Sequence, residues 1–245
     1  MRKLRTLFIL LTLLFAFVFA GFNSNAQELV TNGGFETGDF SGWTLEELTS
    51  AGDWFVYTGT LSPINSIPIL APPVGNFAAV ADQGAPDSNI LYQDIQIPAG
   101  ETVTCSAIVY YENVGGEGGS VFIIGDGLTL NEDNQQYRVD IMDPNAPSFD
   151  TGAGVLLNLF QTLPGDPNSL GYTTLNFDLS PFAGSTVRIR AAVVVTENPL
   201  NGSIDAVSCV VKTGIPTLSE WGLIAMAGIL GIVGFMVMRR RKVTA

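Results

Sequence analysis

Two cysteines, 23 acidic residues and no histidine are what this 245-residue chain brings to chemistry. Without histidine there is no Ser-His-Asp or Cys-His arrangement, and no imidazole-ligated zinc or iron. Cys105 and Cys209 cannot build a thiolate metal site or a CxxC redox pair. In an oxidising compartment they either form one disulfide or remain two separate buried thiols. Paired carboxylates can hydrolyse glycosides without histidine. No pair is marked out by its setting, however, and no long insertion builds a cleft, so the expectation is a non-catalytic protein.

The few cations are as telling as the many acids. Between residues 28 and 214 there are 22 acidic residues against Arg138, Arg188, Arg190 and Lys212, a net charge of −18. Such a surface repels nucleic acid and anionic lipid, and it suits an exported soluble domain or one that takes up divalent cations. A nucleic-acid partner is excluded. In Tyr137-Arg138-Val139-Asp140-Ile141 and Val187-Arg188-Ile189-Arg190-Ala191 the apolar residues keep one parity and the arginines the other. Period-two alternation places Val139, Val187 and Ile189 in a core and the three arginines on the outer face of their strands. There they either pair with acids such as Asp140 or Glu112, or form a cationic strip that binds an acidic glycan through bidentate guanidinium contacts. Trp54, Tyr57, Tyr110 and Tyr111 are candidates for stacking on sugar rings, although an aromatic on a strand also fits a core.

The elements that must position these residues are strands. Short runs rich in Val, Ile, Thr, Tyr and Phe alternate with Gly/Pro/Asn/Asp clusters, and no stretch carries helical periodicity. Strands are expected over residues 29–31, 54–58, 77–81, 90–97, 102–111, 137–142, 173–179, 186–195 and 203–211, with loops over 71–73, 115–119, 143–154 and 164–171. Residues 155–163 read equally as a short helix or an extra strand. Nine or so strands at this spacing argue for an all-β, antiparallel sandwich.

Both ends lie outside that domain. Arg2, Lys3 and Arg5 precede an apolar run over residues 7–20 and a small-residue exit at Ser24-Asn25-Ala26, which reads as a signal peptide over residues 1–26. At the other end, residues 221–238 carry no charge and stop at Arg239-Arg240-Arg241-Lys242. Eighteen helical residues span about 27 Å, close to the ~30 Å of a bilayer core. The basic cluster is then cytoplasmic and residues 27–212 form the exported ectodomain.

The wording of the tail is more specific than its hydropathy. Ile215-Pro216-Thr217-Leu218, then Trp221-Gly222, an apolar span and Arg239-Arg240-Arg241 resemble the IPTL-CTERM sorting signal. This is a relative of the PEP-CTERM signals read by exosortase-type membrane enzymes of Gram-negative bacteria. The resemblance implies a substrate exported to the cell surface or matrix, held briefly in the membrane by residues 213–245, and processed near the motif. A second resemblance lies in the domain. Leu29-Val30-Thr31-Asn32-Gly33-Gly34-Phe35-Glu36 with Ser41-Gly42-Trp43, and the closing Gly202-Ser203-Ile204-Asp205-Ala206-Val207, look like the opening and last strand of galactose-binding-like and carbohydrate-binding-module jelly rolls. That likeness implies a jelly-roll topology and a cell-surface polysaccharide partner. It also implies a structural calcium ion bridged by Glu36 and Asp205, with backbone carbonyls around residues 32–34 completing the shell. Phe35 and Trp43 are expected to plug one end of the core.

Overall fold

The computed structural model describes residues 26–114, 121–197, 199–212 and 227–232. Its strands are β1 (Gln27–Glu28), β2 (Thr44–Glu47), β3 (Gly52–Tyr57), β4 (Ala78–Gln83), β5 (Asp87–Gln96) and β6 (Thr102–Asn113). They continue with β7 (Gln135–Met142), β8 (Val155–Gln161), β9 (Ser169–Asp178), β10 (Thr186–Val195) and β11 (Leu200–Lys212). One sheet has the order β3-β4-β11-β6-β9, with β1 also on β11; the other runs β2-β5-β10-β7-β8. Neighbours are antiparallel throughout. The inner faces meet in one core, built from Trp54, Ala79, Cys105 and Val109 on the first sheet and from Val139, Val187, Ile189 and Val193 on the second. A β-sandwich is the result. The β10 range is the expected one, and the ambiguous 155–163 run is an edge strand. Residues 29–31, expected as a strand, instead lead out of the two-residue β1.

The outer faces are less open than alternation implies. On β10 the outward residues Ala192 and Val194 are fully buried, in a second small core with Ile90 and Leu128 and with Leu130 and Phe149 against it. The segment after β6 and the β7–β8 loop cover the middle of that sheet. On the other sheet the β3–β4 loop does the same, closing Tyr57, Ile69, Ala78, Val80 and Tyr110 into a third cluster. Loops from elsewhere in the chain thus turn two solvent faces into interior.

Residues 1–25, the segment 213–226 and residues 233–245 lie outside the described residues. The expected signal peptide, the Ile215–Gly222 motif, all of the expected 221–238 span but residues 227–232, and the arginine cluster therefore fall outside them too. Residues 227–232 are helical, and no helix among the described residues is long and apolar enough to cross a membrane.

Candidate functional site

The opening turn is shaped to meet β11. Asn32 and Phe35 adopt left-handed backbone conformations (φ 50° and 56°), which L-residues seldom occupy without surrounding support. That support includes the Phe35 N–H to Asn32 O bond of 3.1 Å and the Trp43 indole donating to the same oxygen at 3.2 Å. Phe35 is fully buried with its ring 5.4 Å from Trp43. Opposite the turn, β11 is irregular between Asp205 and Ser208, with Ala206 at φ 48°. The Val207 N–H donates to Gly33 O at 2.9 Å. A Cβ on Gly33 would lie 1.8 Å from the Val207 oxygen, so only glycine allows this approach.

The bulge aims Asp205 at the turn, and both carboxylates hold the same loop. Glu36 Oε1 accepts from the N–H groups of Asn76 and Phe77 at 2.9 Å each, and Asp205 Oδ2 accepts from Val74 N–H at 3.3 Å. The N–H donors of Phe77 and Asn76 hold the Glu36 carboxyl below its ordinary pKa. Burial, with the Glu36 charge beside it, pushes Asp205 up to about 7. Two neighbouring carboxylates, one of them buried and reluctant to ionise, form an electrostatic setting that a cation relieves. No third Asp, Glu, His or Cys joins them among the described residues, so a calcium ion would draw further oxygens from the backbone. An ion held there would cross-link the opening turn, the 74–77 loop and β11, but the Asn32 and Gly33 carbonyls expected to complete its shell already accept hydrogen bonds.

The arginines form ion pairs and not the alternative cationic strip. Their strand parity is outward, yet Arg138, Arg188 and Arg190 are 5%, 8% and 0% exposed. Arg138 grips Asp140 through Nε and Nη2 at 2.7 and 2.9 Å, while Arg190 shares the same carboxylate. Arg190 also donates to the carbonyls of Ser148 and Asp150, which pins the β7–β8 loop over it. Arg188 forks onto Asp94 at 2.7 and 3.0 Å and lies 3.8 Å from the Tyr92 ring centre. The Asp94 carboxylate raises the Arg188 pKa, whereas burial lowers that of Arg190. Among the described residues no exposed cationic strip lies on this face, and Glu112 is not among the ion-pair partners.

The aromatic candidates are likewise inside. Trp54 and Tyr111 face the core, and the β3–β4 loop covers Tyr57 and Tyr110; all four are 4% exposed or less. Their polar tips are spent internally, with Trp54 Nε1 on Asn89 O at 3.1 Å and the Tyr57 hydroxyl on Leu70 O at 2.8 Å. Cys105 and Cys209 face each other across β6 and β11 and are joined by a disulfide.

A cleft of about 490 Å³ opens at the end of the β2–β8 sheet, lined by Asp143, Asn145, Leu156, Phe182, Ser185 and Thr186 among others. It draws on the turn after β7, on β8, on the 3-10 turn Ser180–Phe182 and on the start of β10. Asp143 is its one carboxylate, so the two-carboxylate arrangement of glycoside hydrolysis is not assembled there. Sequence reasoning passed over these residues because they come from separate segments; the one local signal was a phenylalanine set among turn residues at 180–186.

Residues 213–241 match the IPTL-CTERM motif. No curated protein matches the chain. Several solved structures are similar to it in fold. The carbohydrate-binding module TmCBM61 in complex with beta-1,4-galactotriose is 13% identical at a TM-score of 0.43, covering 75% of this chain and 97% of that one. The K3 cleaved adhesin domain of Lys-gingipain from Porphyromonas gingivalis is 12% identical at a TM-score of 0.46, covering 78% and 100%. A Stig cyclase from Fischerella is 16% identical at a TM-score of 0.43, covering 78% and 100%. With TM-scores this low, the ligands and reactions named for those proteins do not transfer to this chain.

Proposed function

We propose that the chain is an exported protein whose β-sandwich is displayed at the cell surface or in the extracellular matrix as a non-catalytic ectodomain. In this reading the domain has jelly-roll topology and a structural calcium ion at Glu36 and Asp205. The IPTL-CTERM motif over residues 213–241 is the observation that carries the reading. A sorting signal of this kind, read by an exosortase-like enzyme, serves proteins delivered outside the inner membrane. The charge of the domain supports display in water: 22 carboxylates against four cations between residues 28 and 214 oppose self-association and attachment to anionic surfaces. A non-catalytic role is supported by the single carboxylate of the cleft and by a chain without histidine.

The test is fractionation of cells that lack the sorting enzyme and make either the whole chain or a chain ending at Lys212. The whole chain is expected with the envelope, its domain open to added protease, and the truncated chain in the soluble exported fraction. Envelope retention of the truncated chain, or protection of the whole chain inside the cytoplasm, would overturn the proposal. Carbohydrate binding is the second reading, favoured by the mixed polar and apolar lining of the cleft.

A further inference from the structure

We infer that the cleft between the β7–β8 turn and the 3-10 turn is a binding site for a neutral oligosaccharide. This deepens the carbohydrate reading and rests on it. A volume of about 490 Å³ falls in the range of small-molecule sites, roughly 300–1,000 Å³. The lining combines what a sugar presents. Phe182 and the exposed Leu156 offer apolar surface to ring C–H faces, while Asp143, Asn145, Ser185 and Thr186 offer acceptors and donors to hydroxyls.

Charge decides which sugar. No Lys or Arg lines the cleft, its one charged group is the Asp143 carboxylate, and the surrounding domain carries a net −18. A uronate or sulfated sugar would bring like charge to an acidic surface without a cation to receive it. Neutral hydroxyls face no such penalty, and Asp143 accepts from them. Its Oδ1 already takes the Asn145 N–H and Nδ2 at 2.9 and 3.0 Å, and no hydrogen bond is made to its Oδ2 among the described residues.

The polar groups are also held in place before any ligand arrives. The Asp143 N–H donates to Gly154 O at 2.9 Å and Ala146 N–H returns to Asp143 O at 3.0 Å, closing the turn that carries Asn145. The Ser185 N–H reaches Phe182 O at 3.0 Å, and Ile97 N–H reaches Ser185 O at 2.9 Å. Thr186 donates its hydroxyl to Gln96 Oε1 at 2.8 Å, which leaves its oxygen lone pairs as acceptors. The Asp143, Asn145 and Thr186 side chains, held by their own hydrogen bonds, lose little freedom on binding, the condition under which a few hydrogen bonds yield usable affinity.

Calorimetric titration of the purified full-length chain tests the site. The probes are short β-linked gluco- and galacto-oligosaccharides, with oligogalacturonate as the anionic counterpart. The wild-type chain is expected to bind a neutral probe and not the anionic one. Asn145→Ala, at an exposed position, and Phe182→Leu, which keeps apolar volume beneath the cleft, should each weaken binding about tenfold or more, with melting unchanged for Asn145→Ala. Affinity unchanged in both variants would overturn the site, as would equal affinity for oligogalacturonate. A wild-type chain that fractionates to the surface yet binds no neutral probe would sink the cleft and leave the display reading standing. A chain that binds but stays cytoplasmic would do the reverse.

Discussion

At the scale of single residues, Arg188 and Arg190 have the same parity on one strand and opposite surroundings. Arg188 pairs with an Asp94 side chain that is 38% exposed, where solvent weakens an ion pair to about 1 kcal/mol or less. Arg190 and Asp140 are both fully enclosed, and removing one partner of a buried pair costs about 3–5 kcal/mol. Arg190→Ala should therefore lower the melting temperature far more than Arg188→Ala, and should free the β7–β8 loop to protease, because the Ser148 and Asp150 carbonyls lose their donor. Equal melting temperatures for the two variants would refute the buried network. Asp205 yields a pH prediction. Its carboxyl titrates near 7 in the folded chain and near ~3.9 when unfolded. The native state thus binds more protons across that interval, and stability in chelator should fall as pH rises from about 4 to about 7. Calcium at Glu36 and Asp205 would bind the ionised forms and remove that fall. Thermal melts at pH 4.5 and 7.5, with chelator and with calcium, read the difference; identical curves at pH 7.5 would count against the ion.

At the scale of elements, β6 and β11 carry the heaviest constraint. Their disulfide spans a sequence separation of 104 between central strands, and a bridge of this kind contributes about 2–4 kcal/mol. Cys105→Ser with Cys209→Ser should lower melting by roughly 4–16 °C in a differential scan, and an unchanged transition would show that the bridge does not form. The two-sheet sandwich was legible from the alternation of β10 and from the turn clusters between runs. β2 was not: Thr44-Leu45-Glu46-Glu47 carries two adjacent acids and no alternation, so only its pairing with β5 makes it a strand. The uncharged run of β8 shows neither period clearly, because its pairing with β7 slips twice. The parity of the arginines was readable, but the burial of Arg190 was not, since the Ser148 and Asp150 carbonyls that hold it come from a loop that strand periodicity does not describe. The Glu36–Asp205 approach was legible only through resemblance, for the bulge that aims Asp205 leaves no mark in composition. Nothing in the sequence joins Asn145 to Phe182, so the cleft emerged only when the strands were assembled.

At the scale of the whole molecule, an acidic sandwich over residues 26–212 is followed by a tail that matches a sorting motif over residues 213–241. In the proposed function the two parts have separate tasks, the domain to remain soluble and folded outside, and the tail to decide where outside it stays. On that proposal the tail is lost once delivery is complete. The most direct measurement is the intact mass of the mature protein recovered from the surface or matrix of its native cells. The predicted mass corresponds to a chain that lacks residues 1–26 and ends at or near the Ile215-Pro216-Thr217-Leu218 motif. A recovered chain that still ends at Ala245, with Arg239-Arg240-Arg241-Lys242 intact, would contradict the account.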